Sequence, residues 1–173
     1  MIERRNVQRH LSMICFDDEA NRFQMRAAGI ALRDGRVLVQ NVCGDRQSSI
    51  PGGRIDQNES SAEAVVREME EEFGRRVEVG PLAFVIESFF PENGQLFHEI
   101  GFYYPITIPD DFPYHATDVC HRFREGPAEI EYRWIETTPA ALAGCYLYPE
   151  PLRNRLARLP TSAIHLLDRA PPA

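Results

Sequence analysis

One helix with a defined start, a defined end and a single buried face is the feature that most constrains this fold. Ser60 and Glu63 stand in capping-box spacing before an apolar run, and Gly74 is a typical helix stop. This pattern predicts a helix over residues 61–73. At about 100° per residue, its apolar side chains form one stripe that must face the core: Ala62, Val65, Val66, Met69 and Phe73.

Three glutamates share another edge of the predicted helix. Glu68, Glu71 and Glu72 fall within an arc of about 100°. Like charges three and four residues apart destabilise a helix, and a hard divalent cation such as Mg²⁺ or Mn²⁺ offsets that repulsion by taking oxygen ligands. A solvated helix face is the alternative, since this is what a run of glutamates usually indicates.

Strands are predicted on both sides of this helix. The Asp34-Gly35 pair is typical of a hairpin turn and joins strands predicted over 27–32 and 37–42. A second turn over 91–94 joins longer strands predicted over 84–90 and 97–108. Shorter strands are predicted over 13–16, 77–79 and 129–136, with a polar, glycine-bearing loop over 43–58.

The C-terminal part of the chain gives weaker signals. Residues 110–126 show no clear periodicity, which predicts a long loop that covers a substrate. A short helix is predicted over 139–142, a longer one over 149–159, and a frayed tail over 161–173. Without a repeat or a linker, residues 1–173 are expected to form a single domain with its core over about 23–159 and a short N-terminal extension.

The segment from Gly53 to Arg75 resembles the Nudix box, the 23-residue loop–helix–loop of the Nudix hydrolase superfamily. The box is written G-x5-E-x7-R-E-U-x-E-E-x-G-U, where U is apolar. Agreement at seven fixed positions by chance has a probability below about 10⁻⁶ over the chain. Arg75 departs from the last apolar position, where Val77 and Val79 just beyond it could supply the packing. The seven matching residues are Gly53, Glu59, Arg67, Glu68, Glu71, Glu72 and Gly74.

This resemblance implies an α/β fold, a Nudix-type α/β/α sandwich with a mixed β-sheet. It also implies divalent-metal-dependent hydrolysis of the pyrophosphate linkage in a nucleoside diphosphate linked to another group. By the same resemblance, Mg²⁺ or Mn²⁺ is bound by Glu68, Glu71, Glu72 and the carbonyl of Gly52.

Three other roles follow for residues in the box and beside it. Arg67, next to Glu68 and four residues before Glu71, is placed to orient a carboxylate by a charge-assisted hydrogen bond, and these three form the catalytic set. Glu59 is expected to support the loop, with a surface position as its alternative. Arg46 and Arg54 flank the glycine turn and are candidates for holding phosphate oxygens, with plain surface positions as the alternative.

The sequence does not identify the residue that activates the attacking water. Glu68 is the first choice, and the alternatives are Glu125, Glu129 and Glu131; Glu99 is a weaker candidate, and His98 is expected to be structural. Aromatic side chains on strands usually belong to the core, which is the expectation for Phe89, Phe90, Tyr103, Tyr104 and Trp134. No motif selects one nucleotide substrate.

Composition limits the partners. The chain has 26 acidic and 19 basic residues, a net charge of −7, and such a field repels phosphate backbones, so no nucleic-acid partner is expected. A small nucleotide would need a bound cation or a local arginine cluster. No apolar run reaches the length of about 18 to 20 residues that spans a membrane, and the N-terminus lacks the apolar run of a signal peptide. A cytoplasmic protein with no membrane partner is therefore expected, and its four cysteines, which lack metal-binding spacing, are expected to be reduced.

Two other hypotheses stand beside the hydrolase. A Nudix-fold sensor would bind a nucleotide such as ADP-ribose without turnover, but a pure binding module has no need for three close carboxylates. The second hypothesis is a purely structural helix on which the spacing of the glutamates is accidental. Relatives in the resembled family are often dimers, so a homodimer is also an expectation.

Overall fold

The computed structural model describes residues 13–169 of the chain. The elements alternate between strands and a few short helices. In chain order they are β1 (Cys15–Asp18), β2 (Asn21–Arg33), β3 (Arg36–Val42), β4 (Ser48–Ser49), β5 (Gly52–Arg54), α1 (Ser61–Phe73), β6 (Glu78–Val79), β7 (Phe84–Glu92), β8 (Gln95–Thr107), β9 (Val119–Glu125), β10 (Ala128–Glu136), α2 (Pro139–Gly144), β11 (Leu147–Tyr148), a 3₁₀ helix (Glu150–Asn154) and β12 (Ile164–Arg169).

Helix α1 has the bounds and caps that the sequence predicts. The Ser60 hydroxyl accepts a hydrogen bond from the Glu63 amide, and the Glu63 carboxylate accepts one from the Ser60 amide at 2.9 Å. Gly74 adopts the left-handed conformation, with φ of 61°, and donates to the Glu70 carbonyl. Val77 is buried in the same core as the helix and supplies the packing that the exposed Arg75 does not.

The strands form a mixed sheet centred on β2. Strand β2 pairs in parallel with β8 from Asn21↔Leu96 to Ala31↔Ile106, and β8 pairs antiparallel with β7. The two predicted hairpins are confirmed, one across Asp34-Gly35 and one across Asn93-Gly94. Mixed pairing of this kind agrees with the α/β fold expected from the sequence.

Alternate residues of the central strands feed two separate cores, one on each face of the sheet. On one face Ala27 and Leu38 pack with Val65 and Met69 of α1. On the other face Ala28 and Val37 belong to a second core that contains Leu142 of α2 and three leucines beyond it: Leu147, Leu152 and Leu156. The sheet therefore lies between two helical layers, as the sandwich predicts.

A change of partners along β2 creates the opening for the site. Strand β2 pairs with β3 only at the hairpin, over Leu32↔Val37 and Arg33↔Arg36. Earlier along β2, Ala27 and Ala28 pair instead with Gly53 and Gly52 of β5, while β3 continues alongside β10. The glycine turn therefore lies between β2 and β3, where these two strands separate, and next to α1.

Three predictions for the second half of the chain are wrong. Residues 119–125 do not belong to a loop: they form β9, which pairs with β10 although its outward residues are charged. The helix predicted over 149–159 is only the 3₁₀ helix Glu150–Asn154, followed by turns. The tail is not frayed over 164–169, where β12 pairs in parallel with β7.

The N-terminal boundaries also shift. The predicted strand over 13–16 is observed as β1, Cys15–Asp18, and Met13 forms an isolated bridge with Asp56. The rest of the N-terminal extension, residues 1–12, and residues 170–173 of the tail lie outside the described residues. Within residues 13–169, none of the helices combines the length and the apolarity needed to cross a bilayer.

Candidate active site

The Gly52–Gly53 turn brings the β5 backbone directly against the acidic edge of α1. A Cβ atom at Gly53 would overlap the Glu68 carboxylate. A Cβ atom at Gly52, where φ is +150°, would overlap the backbone of Ala27 and Ala28. Glycine permits this close approach at both positions, so the turn and the helix form one continuous wall.

Arg67 ties the helix to the loop that precedes it. Its guanidinium donates to both oxygens of Glu59, at 2.7 and 3.0 Å, and to the Arg54 carbonyl at 3.0 Å. A further N–H donates to Glu68 Oε1 at 2.7 Å. Because a forked guanidinium fixes direction as well as distance, Arg67 sets the orientation of the Glu68 carboxylate.

Glu59 is held in its charged form. Burial alone would raise the pKa of this carboxyl, but hydrogen bonds from Arg67 and from the Asp56 amide outweigh burial and lower the pKa below 4.5. The same pairing raises the pKa of Arg67 further. Glu59 therefore anchors the loop through an ion pair that stays charged at neutral pH.

Glu68 and Glu72 behave in the opposite way. Burial raises the pKa of Glu68, and Arg67 only partly opposes this. Burial raises the pKa of Glu72 to about 8, although the nearby Tyr132 hydroxyl opposes the shift, and the charges of Glu68 and Glu125 add to it. Glu72 is 7 % exposed, and its Oε2 has no hydrogen-bond partner of standard geometry within the described residues. Two carboxyls whose pKa values are raised by burial, one of them with an unsatisfied oxygen, mark a candidate functional site.

The structure does not bring Glu71 into this pair. Its side chain is 57 % exposed and lies 3.5 Å from an Arg67 nitrogen, on the side of the helix away from the glycine turn. Glu70 lies on that same outer side. The helical arc places Glu68, Glu71 and Glu72 near one another at the backbone, but their side chains face two different surfaces.

A cleft of about 450 Å³ opens between α1 and the strands that part at β5. Arg54 lines it, as does Arg26 of β2, whose positive charge opposes the raised pKa values of Glu68 and Glu72. Arg46 is elsewhere: it lies over the Tyr146 ring and donates to the Tyr146 hydroxyl at 3.3 Å. The acidic and glycine positions that line the cleft are Gly52, Gly53, Asp56, Glu68, Glu72, Glu92 and Glu125.

Three carboxylates that follow the Nudix box in the chain are the alternative candidates for activating water: Glu125, Glu129 and Glu131. The structure places one of them at the cleft. Glu125, at the end of β9, lines it and lies close enough to Glu72 to influence its pKa. Glu131 is bound instead by Arg122 and Arg133, which outweigh burial and lower its pKa. Glu129 lies 3.8 Å from Arg122, outside the cleft.

A second cavity of about 430 Å³ adjoins the cleft and shares Gln24, Arg26 and Glu92 with it. We refer to it as the side cavity. Glu99 lines the side cavity, whereas His98 points to the opposite sheet face, stacked on Phe89 at 4.4 Å between ring centroids.

The predicted core aromatics divide into two groups. Trp134 is buried in the core under α1, and the Tyr104 hydroxyl is hydrogen-bonded to Ser61 at 2.6 Å. Phe89 stacks on His98, away from both openings. Phe90 lines the side cavity and belongs to neither core, so the core expectation is wrong for Phe90. Tyr103 also lines the side cavity, but it is 2 % exposed and is part of the second core, as expected.

Sequence reasoning missed Arg26, Gln24 and Tyr132. Each lies on a strand, between about 20 and 80 residues from the glycine turn or the helix that it faces, and only sheet pairing brings it to the site. A polar side chain such as Arg26 directly before the buried run of β2 is the one signal that the sequence offers.

The donor set fits a divalent cation. Within residues 13–169, no three Asp, Glu, His or Cys side chains already stand together as a complete metal-binding group. Magnesium, however, is usually bound through one or two carboxylates together with substrate phosphates. Glu68 and Glu72 face the same cleft, and the unsatisfied Glu72 oxygen is a hard ligand of the required type.

Comparisons with known proteins show the family and the fold of the chain. The model of the NUDIX domain family matches residues 23–142. Among solved structures, a MutT protein from Bacillus halodurans aligns with a TM-score of 0.60 at 16 % identity, covering 86 % of this chain and 91 % of that one. A MutT protein from Methanosarcina mazei Go1 aligns with a TM-score of 0.53 at 22 % identity, covering 81 % and 96 %.

A UDP-X diphosphatase aligns with a TM-score of 0.51 at 16 % identity, covering 71 % of this chain and 61 % of that one. At these identities the structural similarity shows the fold. A search among curated protein sequences returned no match.

The family match extends over more than half of the chain and contains the whole segment from Gly53 to Arg75. The chain therefore belongs to the NUDIX domain family. It is a Nudix pyrophosphohydrolase, an enzyme class that generally uses divalent metal ions.

Proposed function

We propose that this protein hydrolyses the pyrophosphate linkage of a nucleoside diphosphate linked to another group, in a reaction that depends on Mg²⁺ or Mn²⁺. The observation that carries the proposal is the pair Glu68 and Glu72, two partly desolvated carboxyls that face one cleft beside the Gly52–Gly53 turn. A released nucleoside monophosphate and a second phosphorylated product are expected.

Glu68, Glu72 and the Gly52 carbonyl are the proposed metal ligands, and Glu71 joins them only if its side chain turns towards the cleft. When bound, the metal would neutralise phosphate charge and lower the pKa of a water molecule. This also explains how a protein with a net charge of −7 can hold a polyphosphate.

The remaining residues have positioning and binding roles. Arg67 holds Glu68 in one orientation, and Glu59 holds Arg67. Arg54 and Arg26 line the cleft and are the proposed contacts for phosphate oxygens. The position of Arg46 over Tyr146 gives no support to such a role for that residue.

Glu68 is the proposed group that accepts the proton of the attacking water. Its carboxylate faces the cleft and is held in one orientation by Arg67, which suits a group that must meet the attacking water. Glu125 is the alternative, because it is the late carboxylate that lines the cleft. A Glu125→Gln variant that retained most of its activity, with Glu68→Gln inactive, would support the first assignment.

A panel of substrates tests the reaction. The protein should release a monophosphate from at least one nucleoside triphosphate, sugar nucleotide, dinucleotide or dinucleoside polyphosphate in the presence of Mg²⁺, and excess EDTA should abolish turnover. Glu78→Gln, an exposed substitution on β6, is the matched control and should leave turnover unchanged. Tight binding of ADP-ribose without any turnover would instead support the sensor hypothesis.

Metal binding can be tested separately from turnover. A ligand that prefers the folded state raises the thermal midpoint once its concentration exceeds its dissociation constant. Mg²⁺ or Mn²⁺ should therefore raise the midpoint of the native protein and fail to raise that of Glu72→Gln. An equal rise in both proteins would contradict the assigned ligands.

Two expectations from the sequence remain predictions. Cell fractionation tests the cytoplasmic location, and light scattering coupled to gel filtration tests the homodimer. One surface suited to self-association is the sheet face with an aromatic row that runs across paired strands, Phe16, Phe23, His98 and Phe89.

A further inference from the structure

The side cavity is built differently from the cleft that it adjoins. It lies on the sheet face that carries the second core, between β7 and β8 and the segment that includes Tyr148 and Pro149. Among residues 13–169, its acidic groups are Glu92, Glu99 and Asp168, and its one cation, Arg26, stands at the boundary with the cleft. Such a lining does not favour a phosphate, so the side cavity suits an uncharged part of a substrate whose phosphates lie in the cleft.

Two polar groups in the side cavity are buried and have unused hydrogen-bonding capacity. Ser88 is 3 % exposed, and its hydroxyl has no partner within the described residues. Glu99 is 8 % exposed and accepts a hydrogen bond from Gln24 on one oxygen, while no described group donates to the other. Leaving the buried Ser88 hydroxyl unsatisfied is costly, and a bound ligand would complete its hydrogen bonding. The second Glu99 oxygen is available to the same ligand.

The chemistry of this lining selects among nucleobases. An ionised carboxylate accepts two hydrogen bonds side by side and donates none. Guanine presents two adjacent donors, N1–H and the 2-amino group, on one edge. Adenine and cytosine present an acceptor beside their amino group, and uracil presents one N–H between two acceptors, so each would bring a lone pair towards the carboxylate.

The lining of the side cavity includes aromatic side chains, on which a flat ring can stack. Phe90 and Tyr148 supply aromatic surfaces in its wall, and Phe90 is itself braced by stacking on Phe97 at 5.1 Å between centroids. Aromatic surfaces bind bases of any kind by stacking, whereas the buried acceptors provide the discrimination.

We infer that the side cavity binds the base of the substrate and favours guanine, with Glu99 accepting from the ring edge and Ser88 completing the contact. This inference rests on the proposed hydrolysis of nucleoside diphosphate derivatives. It adds a specificity-determining pair, Glu99 and Ser88, that lies outside the Nudix box.

The test uses substrates that differ only in the base: GDP-glucose, ADP-glucose, UDP-glucose and CDP-glucose. The native protein should show a kcat/KM for GDP-glucose at least about tenfold above the others, the size expected for a two-point hydrogen-bond readout. Glu99→Gln should bring the four values within about threefold, because its amide places a donor against the donors of guanine. Ser88→Ala should reduce the preference without removing it.

The control is Glu87→Gln. Glu87 neighbours Ser88 on β7 but faces the opposite side of the sheet, where it lies 4.0 Å from His165. This variant should keep the native preference. Equal hydrolysis of all four substrates by the native protein, or an unchanged preference in Glu99→Gln with a native thermal midpoint, would overturn the inference.

Binding of the free monophosphates separates this inference from the proposed reaction. Calorimetry with GMP and AMP should show tighter binding of GMP by the native protein and a smaller difference in Glu99→Gln, whether or not any substrate is hydrolysed. Turnover without a base preference contradicts the side-cavity assignment alone. Tighter GMP binding without any turnover contradicts the proposed reaction alone. A further outcome is that kcat/KM differs between GDP-glucose and GDP-mannose but not among the four bases. That result would assign the side cavity to the sugar and overturn its assignment to guanine.

Discussion

At the scale of single residues, Glu71 and Glu72 are neighbours in the chain but lie in different environments. Glu72 is buried at the cleft, with its pKa raised by burial, whereas Glu71 is exposed beside Arg67 on the outer side of the helix. Helical periodicity predicts the same role for both residues, because it fixes the position of each Cβ atom but not the position of the carboxylate at the end of the side chain. The structure therefore separates two residues that the motif treats alike.

We expect Glu72→Gln to reduce kcat/KM by more than about 100-fold, beyond the range of about 10- to 100-fold typical of groups that only support a metal site. Glu71→Gln should lose less than about tenfold, because its carboxylate lies outside the cleft. Steady-state kinetics at saturating Mg²⁺ measures both, with Glu70→Gln as the outward-facing control. Equal losses from Glu71→Gln and Glu72→Gln would show that Glu71 turns inward when metal and substrate bind.

Glu59 gives a prediction about stability and pH. Its pKa is lower in the folded protein than the usual 4.5, so the unfolded chain binds the proton more readily. The stability that Glu59 contributes is therefore present above about pH 4.5 and is lost as the pH falls through the folded value. Glu59→Gln should lower the free energy of unfolding at pH 7 by about 1.5 to 3 kcal/mol, the range for hydrogen bonds to charged groups.

Urea unfolding of the native protein and of Glu59→Gln measures this difference at each pH. The difference should shrink as the pH falls from about 4.5 through the lower pKa of folded Glu59, because below that value both side chains are neutral. Glu78→Gln, which is exposed, should show little difference at any pH. A constant difference from pH 7 down to acid pH would mean that charge is not the source of the Glu59 contribution.

The sequence predicts residue positions well where the motif is local and poorly where the partner comes from a distant strand. Glu59, Arg67 and Glu68 lie within ten residues of one another, and their hydrogen bonds follow from one loop and one helix. Arg26 reaches the same cleft only because β2 pairs with β5. No local pattern carries that information, since it depends on how the strands pair.

At the scale of elements, the glycine turn and helix α1 act as one unit. The two glycines are adjacent, but a Cβ atom at each would overlap a different neighbour. At Gly52 the neighbour is the main chain of β2, and at Gly53 it is the Glu68 carboxylate. Backbone atoms cannot move aside, whereas the end of a glutamate side chain can. Alanine at the two positions should consequently have different effects.

Gly52→Ala should destabilise the fold by at least about 2 kcal/mol, because its Cβ meets main-chain atoms and its φ is positive. Gly53→Ala should keep a thermal midpoint near the native value and lose metal-dependent activity, because its Cβ displaces Glu68. Thermal unfolding and kinetics on both variants check this pair. A fully active Gly53→Ala would contradict the close approach of turn and carboxylate.

Elements with strong local signals are predicted correctly, and those defined by their partners are not. Helix α1 carries its own caps and apolar stripe, so its bounds agree with the prediction. Strand β9 carries three charged residues among its last four, and only its pairing with β10 makes it a strand. The 3₁₀ helix Glu150–Asn154 ends early although the apolar pattern continues, with Leu156 buried beyond it in a turn.

At the scale of the whole molecule, β12 is the strand that completes one edge of the sheet. It is far from the residues of the site in sequence but close to them in space. This strand pairs along β7 from Ile164↔Phe84 to Arg169↔Phe89. It brings Asp168 to the side cavity and packs Leu166 against the second core. A segment that looks like a tail in the sequence thus supports both the sheet and the wall of the side cavity.

Adjacent leucines of β12 test this role, because they face opposite sides of the strand. Leu166→Ala should lower the free energy of unfolding by about 1 to 2 kcal/mol, less than for a fully buried leucine, because Leu166 is only half-buried. Leu167→Ala should change it by less than about 0.5 kcal/mol, because Leu167 is 51 % exposed. Urea unfolding measures both values, and equal small effects would mean that β12 detaches in solution. In that case Asp168 would also leave the wall of the side cavity.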